Sequence, residues 1–296
     1  MDSKKRLIVI VGPTAVGKTA LSIELAQKLN TEIISADARQ IFTELEIGTA
    51  KPSFAQLNEV KHHFINTKSI QEAYDAATFG REALERINQL FETYNHVILC
   101  GGSGLYIKAL LEGFDEMPNV PPAIRESINQ QYKINGLGWL QHEVQRLDPD
   151  YFHLVDQMNP HRLIRALELN YFSGKTMAYF RQKKKKELPF EVIKIGLELP
   201  REELFARIDQ RMDDMIEQGL FEEAARFYEH KNLNALQTVG YQEIFDFMDG
   251  LYDKEEAIIL LKRNTRRYAK RQITWFKKDR EISWLRPDEV IQNFKF

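Results

Sequence analysis

The sequence has few of the features of an exported or membrane protein. Cys100 is the single cysteine in 296 residues, which excludes an internal disulfide framework and is typical of a reducing compartment. The first apolar run extends only from Leu7 to Val11 before Gly12, too short for a signal-peptide core or a membrane span. We therefore expect a cytoplasmic protein that does not insert into a membrane.

The sequence also lacks a large excess of charge of either sign. Its formal net charge is −2, so a nucleic-acid surface would have to be a local patch. Two basic segments are candidates, Arg181–Lys186 and the helical segment Lys254–Lys278, although runs of like charge are often only solvated faces. There is no internal repeat, and nothing in the sequence indicates an obligate protein partner.

Short apolar segments alternate with helical patterns. The predicted strands are Leu7–Val11, Glu32–Ala36, His96–Cys100 and Val192–Leu199. The predicted helices between and after them are Thr19–Leu29, Ala73–Thr93, Leu105–Leu111 and Glu202–His230. Because runs such as LIVIV have no polar alternation, they suit strands buried on both faces. The alternation of strand and helix predicts a parallel sheet flanked by helices.

This alternation stops between about Gly113 and Pro189. Helical patterns at Ala123–Lys133, Trp139–Arg146 and Arg162–Phe172 follow a turn-rich stretch, and no strand pattern interrupts them. We therefore predict an all-helical insertion domain at 114–189. The α/β core would consist of 1–113 and 190–296 and would have a helical C-terminal part.

A phosphate-binding motif joins the first predicted strand to the first helix. Gly12-Pro13-Thr14-Ala15-Val16-Gly17-Lys18-Thr19 matches G-x-x-x-x-G-K-[ST] in full and in the required context. In such a loop, backbone N–H groups and the helix N-terminus face one anion, Lys18 adds a full charge, and the Thr19 hydroxyl can bind Mg²⁺. The motif favours a nucleotide- or diphosphate-binding loop over a simple turn, and the fold class is predicted as α/β, P-loop NTPase-like.

The ends of two other predicted strands provide further candidates. Ligands of open parallel sheets bind beyond the carboxyl ends of the strands, where Asp37 and the Gly101-Gly102-Ser103-Gly104 loop lie. Asp37 is a candidate general base, although a turn or helix cap is another role for this position. No carboxylate follows His96–Cys100, which counts against a motor or switch ATPase.

Several further segments narrow the interpretation. They are Ile34–Gln40 (ISADARQ), Glu46–Pro52 (EIGTAKP), His62–Ile65 (HHFI), Gly101–Tyr106 (GGSGLY), Arg162–Glu168 (RLIRALE), Val239–Glu243 (VGYQE) and Lys270–Phe276 (KRQITWF). In this order, across nearly the whole chain, they resemble segments of the tRNA dimethylallyltransferases, also called tRNA isopentenyltransferases. The series is far more specific than the phosphate loop alone.

The resemblance implies a reaction and a set of roles. A dimethylallyl group would pass from dimethylallyl diphosphate to the exocyclic amine of the adenosine immediately 3′ of the anticodon, with release of diphosphate. Asp37 corresponds to the catalytic base, Thr19 and Arg211 to residues that stabilise the diphosphate, and Mg²⁺ would be the cofactor, with Thr19 as its ligand. Implied contacts with the tRNA anticodon stem-loop come from Asp37, Ala38, Arg39, Gln40, Ser103, Arg125, His161, Arg162, Leu163, Ile164 and Arg165.

The sequence departs from the family pattern at three positions. Ala38 stands where a serine is usual, Ser103 replaces a more common threonine, and Asn159 occupies a position where an aspartate often occurs. These departures concern tRNA contacts rather than the reaction.

The residues alone leave two other functions open. A P-loop small-molecule or nucleoside kinase would use Asp37 as the base for an acceptor hydroxyl and Arg211 as a lid arginine, but it leaves the basic C-terminal helix unexplained. A non-catalytic RNA-binding protein with a nucleotide switch would bind RNA equally well after Asp37→Ala. A transferase would keep RNA binding and lose turnover.

Overall fold

The first predicted strand is one of two central strands of a six-stranded sheet in the computed structural model, which describes residues 4–115, 117–181 and 187–293. The strands are β1 (Arg6–Val11), β2 (Ile33–Ser35), β3 (His62–His63), β4 (His96–Gly101), β5 (Glu191–Leu197) and β6 (Ser283–Leu285). Their order is β3-β2-β4-β1-β5-β6, and all these pairings are parallel. The predicted parallel sheet and P-loop-like α/β fold class are confirmed.

Strand β1 is buried on both faces, as its lack of polar alternation predicts. Leu7, Val9 and Val11 pack into the apolar core on one side of the sheet, whereas Ile8 and Ile10 pack into the core on the other side. Each of these side chains is at most 1% exposed. Removal of this apolar surface from water stabilises the centre of the sheet, from which the phosphate loop emerges.

Helices alternate with the strands along the chain, and several lie between β4 and β5. They are α1 (Lys18–Leu29), α2 (Phe54–Glu59), α3 (Ala76–Thr93), α4 (Gly104–Glu112), α5 (Pro122–Leu147), α6 (Pro149–Leu154), α7 (Pro160–Ser173), α8 (Met177–Phe180), α9 (Arg201–Glu217), α10 (Leu220–Arg226), α11 (Gln242–Met248), α12 (Lys254–Phe276) and α13 (Pro287–Asn293). Within the described ranges, no helix is both long and apolar enough to cross a bilayer.

The prediction of one continuous helix at Glu202–His230 is wrong. Helix α9 ends before Gly219, which adopts the left-handed conformation with φ 100°, and α10 starts after it. Glycine adopts this conformation without a steric penalty and therefore separates two helices that the apolar periodicity alone joins. A 3₁₀ turn at Tyr228–His230 ends the segment.

Contacts divide the chain into two compact units. The α/β unit consists of Met1–Glu112 and Glu187–Phe296, and the helical unit is Gly113–Lys186. Helices α5 to α8 form the helical unit, and its described residues contain no strand. The basic residues 182–186, which the sequence suggests as a local patch, lie outside the described residues.

The helical unit has its own apolar core. Leu140, Val144, Leu163 and Leu167 are among its buried side chains, and each is at most 1% exposed. Gly136, with φ 72°, interrupts α5 between the two helical segments that the sequence predicts there. The core therefore holds helices α5 and α7 together independently of the sheet.

Candidate active site

The phosphate loop turns sharply between β1 and α1. Gly12 and Gly17 have φ values of 150° and 105°, which glycine tolerates and other residues rarely adopt. A Cβ atom on Gly12 would lie 2.8 Å from the carbonyl oxygen of Leu197 in β5. The loop therefore lies tightly against the sheet, and the N-terminus of α1, with its partial positive charge, lies at the carboxyl edge of the strands.

A cavity of about 470 Å³ opens at this edge of the α/β unit. Its walls come from the phosphate loop, the segment after β2, the glycine loop after β4, and helices α9 and α12. The lining includes the predicted catalytic residues Thr19, Asp37 and Arg211, together with Lys18. The structure thus brings these predicted residues together, although they come from distant parts of the sequence.

The two carboxylate oxygens of Asp37 differ in their surroundings. Oδ1 accepts hydrogen bonds from the backbone N–H groups of Arg39 (2.9 Å) and Gln40 (3.2 Å), which fixes the turn after β2. Oδ2 makes no hydrogen bond with any residue in the described ranges. The residue therefore stabilises a turn and also presents a carboxylate oxygen to the cavity, where it can accept a proton.

Lys18 lies in the wall of the cavity next to the loop carbonyls. Its Nζ donates hydrogen bonds to the carbonyl oxygens of Gly12 (3.1 Å) and Pro13 (2.7 Å). Burial lowers the pKa of Lys18 to about 8, and the attraction of Cys100 and Asp37 only partly opposes this effect. At neutral pH most Lys18 side chains are therefore protonated and can bind an anion in the cavity.

Arg211 adds a second cation to the cavity. Its guanidinium donates from Nη1 to the Thr14 hydroxyl at 3.5 Å and from Nη2 to the carbonyl oxygen of Ala50 at 3.3 Å. Burial lowers the pKa of Arg211, and Asp37 opposes that shift. Since an arginine stays protonated even when its pKa falls, the site keeps a permanent positive charge beside the phosphate loop.

Gln272 on α12 connects two of the loops that line the cavity. Its Oε1 accepts a hydrogen bond from the backbone N–H of Thr14 (2.9 Å), and its Nε2 donates to the carbonyl oxygen of Gly102 (3.0 Å). A Cβ atom on Gly102 would lie 2.2 Å from this Nε2, and one on Gly104 would lie 2.1 Å from Nε1 of Trp275. The glycines therefore allow α12 to approach the loop closely.

Tyr268 lies on the same face of α12 as Gln272, one helical turn earlier, and also lines the cavity. Burial raises the pKa of its hydroxyl above the usual value, and the negative charge of Asp37 adds to the effect. Tyr268 is therefore a neutral phenol in the site. Sequence reasoning did not select Tyr268 or Gln272 as site residues, but their spacing of four on a helix could have indicated a shared face.

The segment after Asp37 is held by the glycine loop and by a nearby turn. The Ser103 hydroxyl accepts a hydrogen bond from the backbone N–H of Ala38 at 2.9 Å, a contact that a threonine hydroxyl could also make. Gln40 donates from Nε2 to the carbonyl oxygens of Thr49 (3.2 Å) and Ala50 (3.1 Å). Ser103 and Asp37–Gln40, predicted to contact tRNA, thus form one cluster in the α/β unit.

The other predicted tRNA-binding residues belong to the helical unit. Arg125 and Arg165 are 58% and 40% exposed, and both pair with the buried carboxylate of Glu168, at 3.3 Å and 3.1 Å. His161 and Arg162 are also exposed at the start of α7. The Asn159 side chain caps this helix by accepting a hydrogen bond from the backbone N–H of Arg162 at 3.3 Å, as an aspartate would.

Leu163 and Ile164 differ from their neighbours because they are buried. They are 0% and 5% exposed and belong to the apolar core of the helical unit. Their side chains pack inside this unit, so a tRNA contact at these two positions would have to use their backbone, and it stays a prediction.

The fold and the cavity define an α/β protein with a P-loop-like anion site, a neighbouring carboxylate and a helical insertion. The family model described as IPP transferase matches residues 40–279, which is more than half of the chain. The chain belongs to the IPP transferase family. It is therefore an enzyme of the transferase class, and the kinase interpretation is not favoured.

Similar proteins agree with this assignment. The tRNA dimethylallyltransferase of Cytophaga hutchinsonii is 51% identical over 288 residues, which cover 97% of this chain and 95% of that protein. The structure of tRNA isopentenylpyrophosphate transferase from Bacillus halodurans is 35% identical, with a TM-score of 0.71 and coverage of 98% and 94%. A eukaryotic dimethylallyltransferase, described as acting on tRNA, is 28% identical, with a TM-score of 0.75 and coverage of 97% and 75%.

Proposed function

We propose that this chain prenylates tRNA. It transfers the dimethylallyl group of dimethylallyl diphosphate to the exocyclic amine of the adenosine immediately 3′ of the anticodon, and it releases diphosphate. The observation that carries the proposal is a cavity in which a phosphate loop with two nearby cations faces the Asp37 carboxylate, whose Oδ2 has no hydrogen-bond partner among the residues that the structure describes. Family membership supports the same reaction.

The positive groups of the cavity act on the leaving group. When the bond between the allylic carbon and the diphosphate oxygen breaks, negative charge accumulates on the diphosphate. The loop N–H groups, Lys18 and Arg211 stabilise this charge more strongly in the transition state than in the ground state. The loss of one such fixed contact commonly costs about 3 kcal/mol, or two orders of magnitude in rate.

Asp37 acts on the other reactant. The adenine amine is a weak nucleophile because its lone pair is delocalised into the ring. As the new C–N bond forms, the nitrogen loses a proton, which Asp37 Oδ2 accepts while Oδ1 remains bonded to the turn. The same side chain thus supplies the base and keeps it at a fixed position in the cavity.

We propose Mg²⁺ as the cofactor. The Thr19 hydroxyl lines the cavity and makes no hydrogen bond with a residue of the described ranges, so it can serve as a ligand. Mg²⁺ usually binds few protein groups and takes phosphate oxygens and water as its other ligands, which suits a site with this donor set. When bound, it supplies positive charge to the diphosphate.

The acceptor base has to leave its stack to enter the cavity, which is easier in an RNA loop than in a duplex. We propose that Asp37–Gln40 and Ser103 contact the anticodon loop in the α/β unit. The exposed Arg125, His161, Arg162 and Arg165 would bind tRNA from the helical unit, where guanidinium groups suit phosphate oxygens. A tRNA substrate also suggests a cytoplasmic location.

The test is incubation of the purified protein with Mg²⁺, unmodified tRNA and either dimethylallyl diphosphate or ATP, followed by mass spectrometry of the digested nucleosides. The proposal predicts an adenosine heavier by one C5 prenyl unit that depends on the diphosphate and not on ATP. Lys18→Met should lower the initial rate of product formation on the order of 100-fold, whereas Lys28→Met, on the exposed end of the same helix, should leave it unchanged. ADP formation without prenylation would refute the proposal.

A further inference from the structure

Glu223 carries a buried carboxylate that no step of the proposed reaction uses. It lies on α10 and is 1% exposed. Its oxygens accept hydrogen bonds from the backbone N–H groups of Glu46 (3.2 Å), Ile47 (2.8 Å) and Gly48 (2.9 Å), and from the hydroxyl of Tyr241 (2.6 Å). A buried carboxylate with four donors is a strong anchor, because charge-assisted hydrogen bonds exceed neutral ones in strength.

The three N–H groups lie at the start of the 3₁₀ turn Ile47–Thr49. A single 3₁₀ turn has little intrinsic stability, so its position depends on outside contacts. Gly48 adds a steric contact, because a Cβ atom there would lie 2.6 Å from Cζ of Tyr241. Glu223 and Tyr241 therefore both hold this turn in place, which connects the EIGTAKP and VGYQE segments.

The end of the same turn reaches the active site. The carbonyl oxygen of Ala50 accepts hydrogen bonds from Nη2 of Arg211 (3.3 Å) and Nε2 of Gln40 (3.1 Å), and that of Thr49 accepts from Gln40 at 3.2 Å. Arg211 supplies the permanent cation beside the phosphate loop, and Gln40 follows the proposed base. Hydrogen bonds at both ends of this turn thus link the buried carboxylate, through the backbone of the turn, to two cavity residues.

We propose that Glu223 is a positioning residue, which holds the turn Glu46–Ala50 and thereby places Arg211 and Gln40 for the transfer reaction. This inference rests on the proposed function. The carboxylate does not touch the substrate, and it acts only through the carbonyl groups of Thr49 and Ala50. A displacement of about 1 Å in such a positioned group can lower the rate on the order of 100-fold.

The experiment compares Glu223→Gln with Glu44→Gln. The first variant keeps the side-chain shape but turns an amide N–H₂ group toward N–H donors. Glu44 is a matched control, because its carboxylate also anchors a turn, through the Ser69 hydroxyl (2.5 Å) and the Ile70 N–H (3.0 Å). We expect Glu223→Gln to lower kcat on the order of 100-fold, and the control to change it about twofold or less.

Two further measurements separate positioning from a general loss of folding. Hydrogen exchange should show loss of protection at Ile47 and Gly48 in Glu223→Gln, with the central strands still protected. In an Arg211→Ala background, Glu223→Gln should lower kcat much less than it does in the wild type, because both substitutions remove the contribution of a correctly placed Arg211. The proposal would be overturned if the kcat effects of Arg211→Ala and Glu223→Gln were fully additive. It would also be overturned if the kcat loss in Glu223→Gln only matched the loss of folded protein.

The affinity for inorganic diphosphate separates this inference from the proposed reaction. Calorimetry should give a Kd for diphosphate about tenfold higher in Glu223→Gln than in the wild type, whichever acceptor the enzyme uses. If the wild type fails to prenylate tRNA but this difference is present, the proposed function is wrong and the role of Glu223 stands. An unchanged Kd together with an unchanged kcat would refute the role of Glu223.

Discussion

Asp37→Asn isolates the proposed role of Asp37 as a base. An asparagine keeps a carbonyl oxygen at the position of Oδ1, so it can still accept the hydrogen bonds from the N–H groups of Arg39 and Gln40. The replacement changes the other oxygen into an amide group that cannot take a proton. The turn after β2 is therefore expected to persist while the proposed chemistry is lost.

The expected loss of rate follows because Asp37→Asn removes proton transfer at Oδ2 and keeps the turn contacts of Oδ1. A positioned general base typically contributes about 10²- to 10⁴-fold in rate, which is about 3 to 5 kcal/mol of the activation barrier. Asp37→Ala should cost more, because it also leaves two backbone donors without their partner, at about 1–3 kcal/mol of folding stability each where they are buried. We therefore expect a kcat loss of at least about 100-fold for Asp37→Asn and a lower melting temperature only for Asp37→Ala.

The assay is single-turnover transfer of a labelled dimethylallyl group to tRNA at saturating enzyme, with tRNA affinity measured separately by filter binding. Asp37→Asn should leave the Kd for tRNA within about threefold of the wild type, because its contacts with the turn persist. A single-turnover rate within about tenfold of the wild type would remove Asp37 from proton transfer. Equal losses of rate and tRNA affinity would instead indicate that it acts in RNA binding.

Three further changes test other parts of the site. Since burial lowers the pKa of Lys18 to about 8 and only the protonated form attracts diphosphate, KM for dimethylallyl diphosphate should rise as pH increases through this value; a KM profile that stays flat to about pH 9.5 would contradict the role of Lys18. Gln272→Met removes both hydrogen bonds to Thr14 and Gly102 and should lower the free energy of unfolding by about 1–3 kcal/mol for each group left unpaired, measured by urea titration; an unchanged midpoint would refute this. Gly101→Ala would place Cβ 2.1 Å from the carbonyl oxygen of Ala36, so it should destabilise the protein by about 1–3 kcal/mol or more and reduce turnover; wild-type melting temperature and kcat would show that the sheet edge adapts.

The elements that the sequence predicts well are those with a local signal. The uninterrupted apolar run at Leu7–Val11 indicates a strand buried on both faces, and the motif Gly12–Thr19 indicates a phosphate loop that leads into a helix. Asp37 could be selected because parallel strands end at a common edge of the sheet. Strands β3 and β6 have only two and three residues, too few for a periodic pattern, and they were not predicted.

The residues that connect the loops have no local signal that identifies their hydrogen-bond partners. Gln272 bonds to Thr14 across 258 positions of sequence, and Glu223 bonds to Gly48 across 175. Tertiary packing brings such partners together, whereas the apolar periodicity of a sequence indicates only its secondary structure. The family resemblance identifies the segment RLIRALE but does not show which of its side chains face solvent. It groups the exposed Arg162 with the buried Leu163.

The connections between loops explain why a phosphate loop alone does not make this site. The transfer reaction requires the leaving group and the base to hold a fixed relative position, because one acts on each side of the migrating carbon. Gln272 joins the Thr14 N–H of the phosphate loop to the Gly102 carbonyl, and the adjacent Ser103 accepts from the Ala38 N–H, next to Asp37. Hydrogen bonds and short stretches of backbone thus link the phosphate loop to the turn that holds Asp37, through a helix that lies far from both loops in the sequence. Helix α12 is therefore part of the candidate active site, even though its basic residues first suggest only an RNA-binding surface.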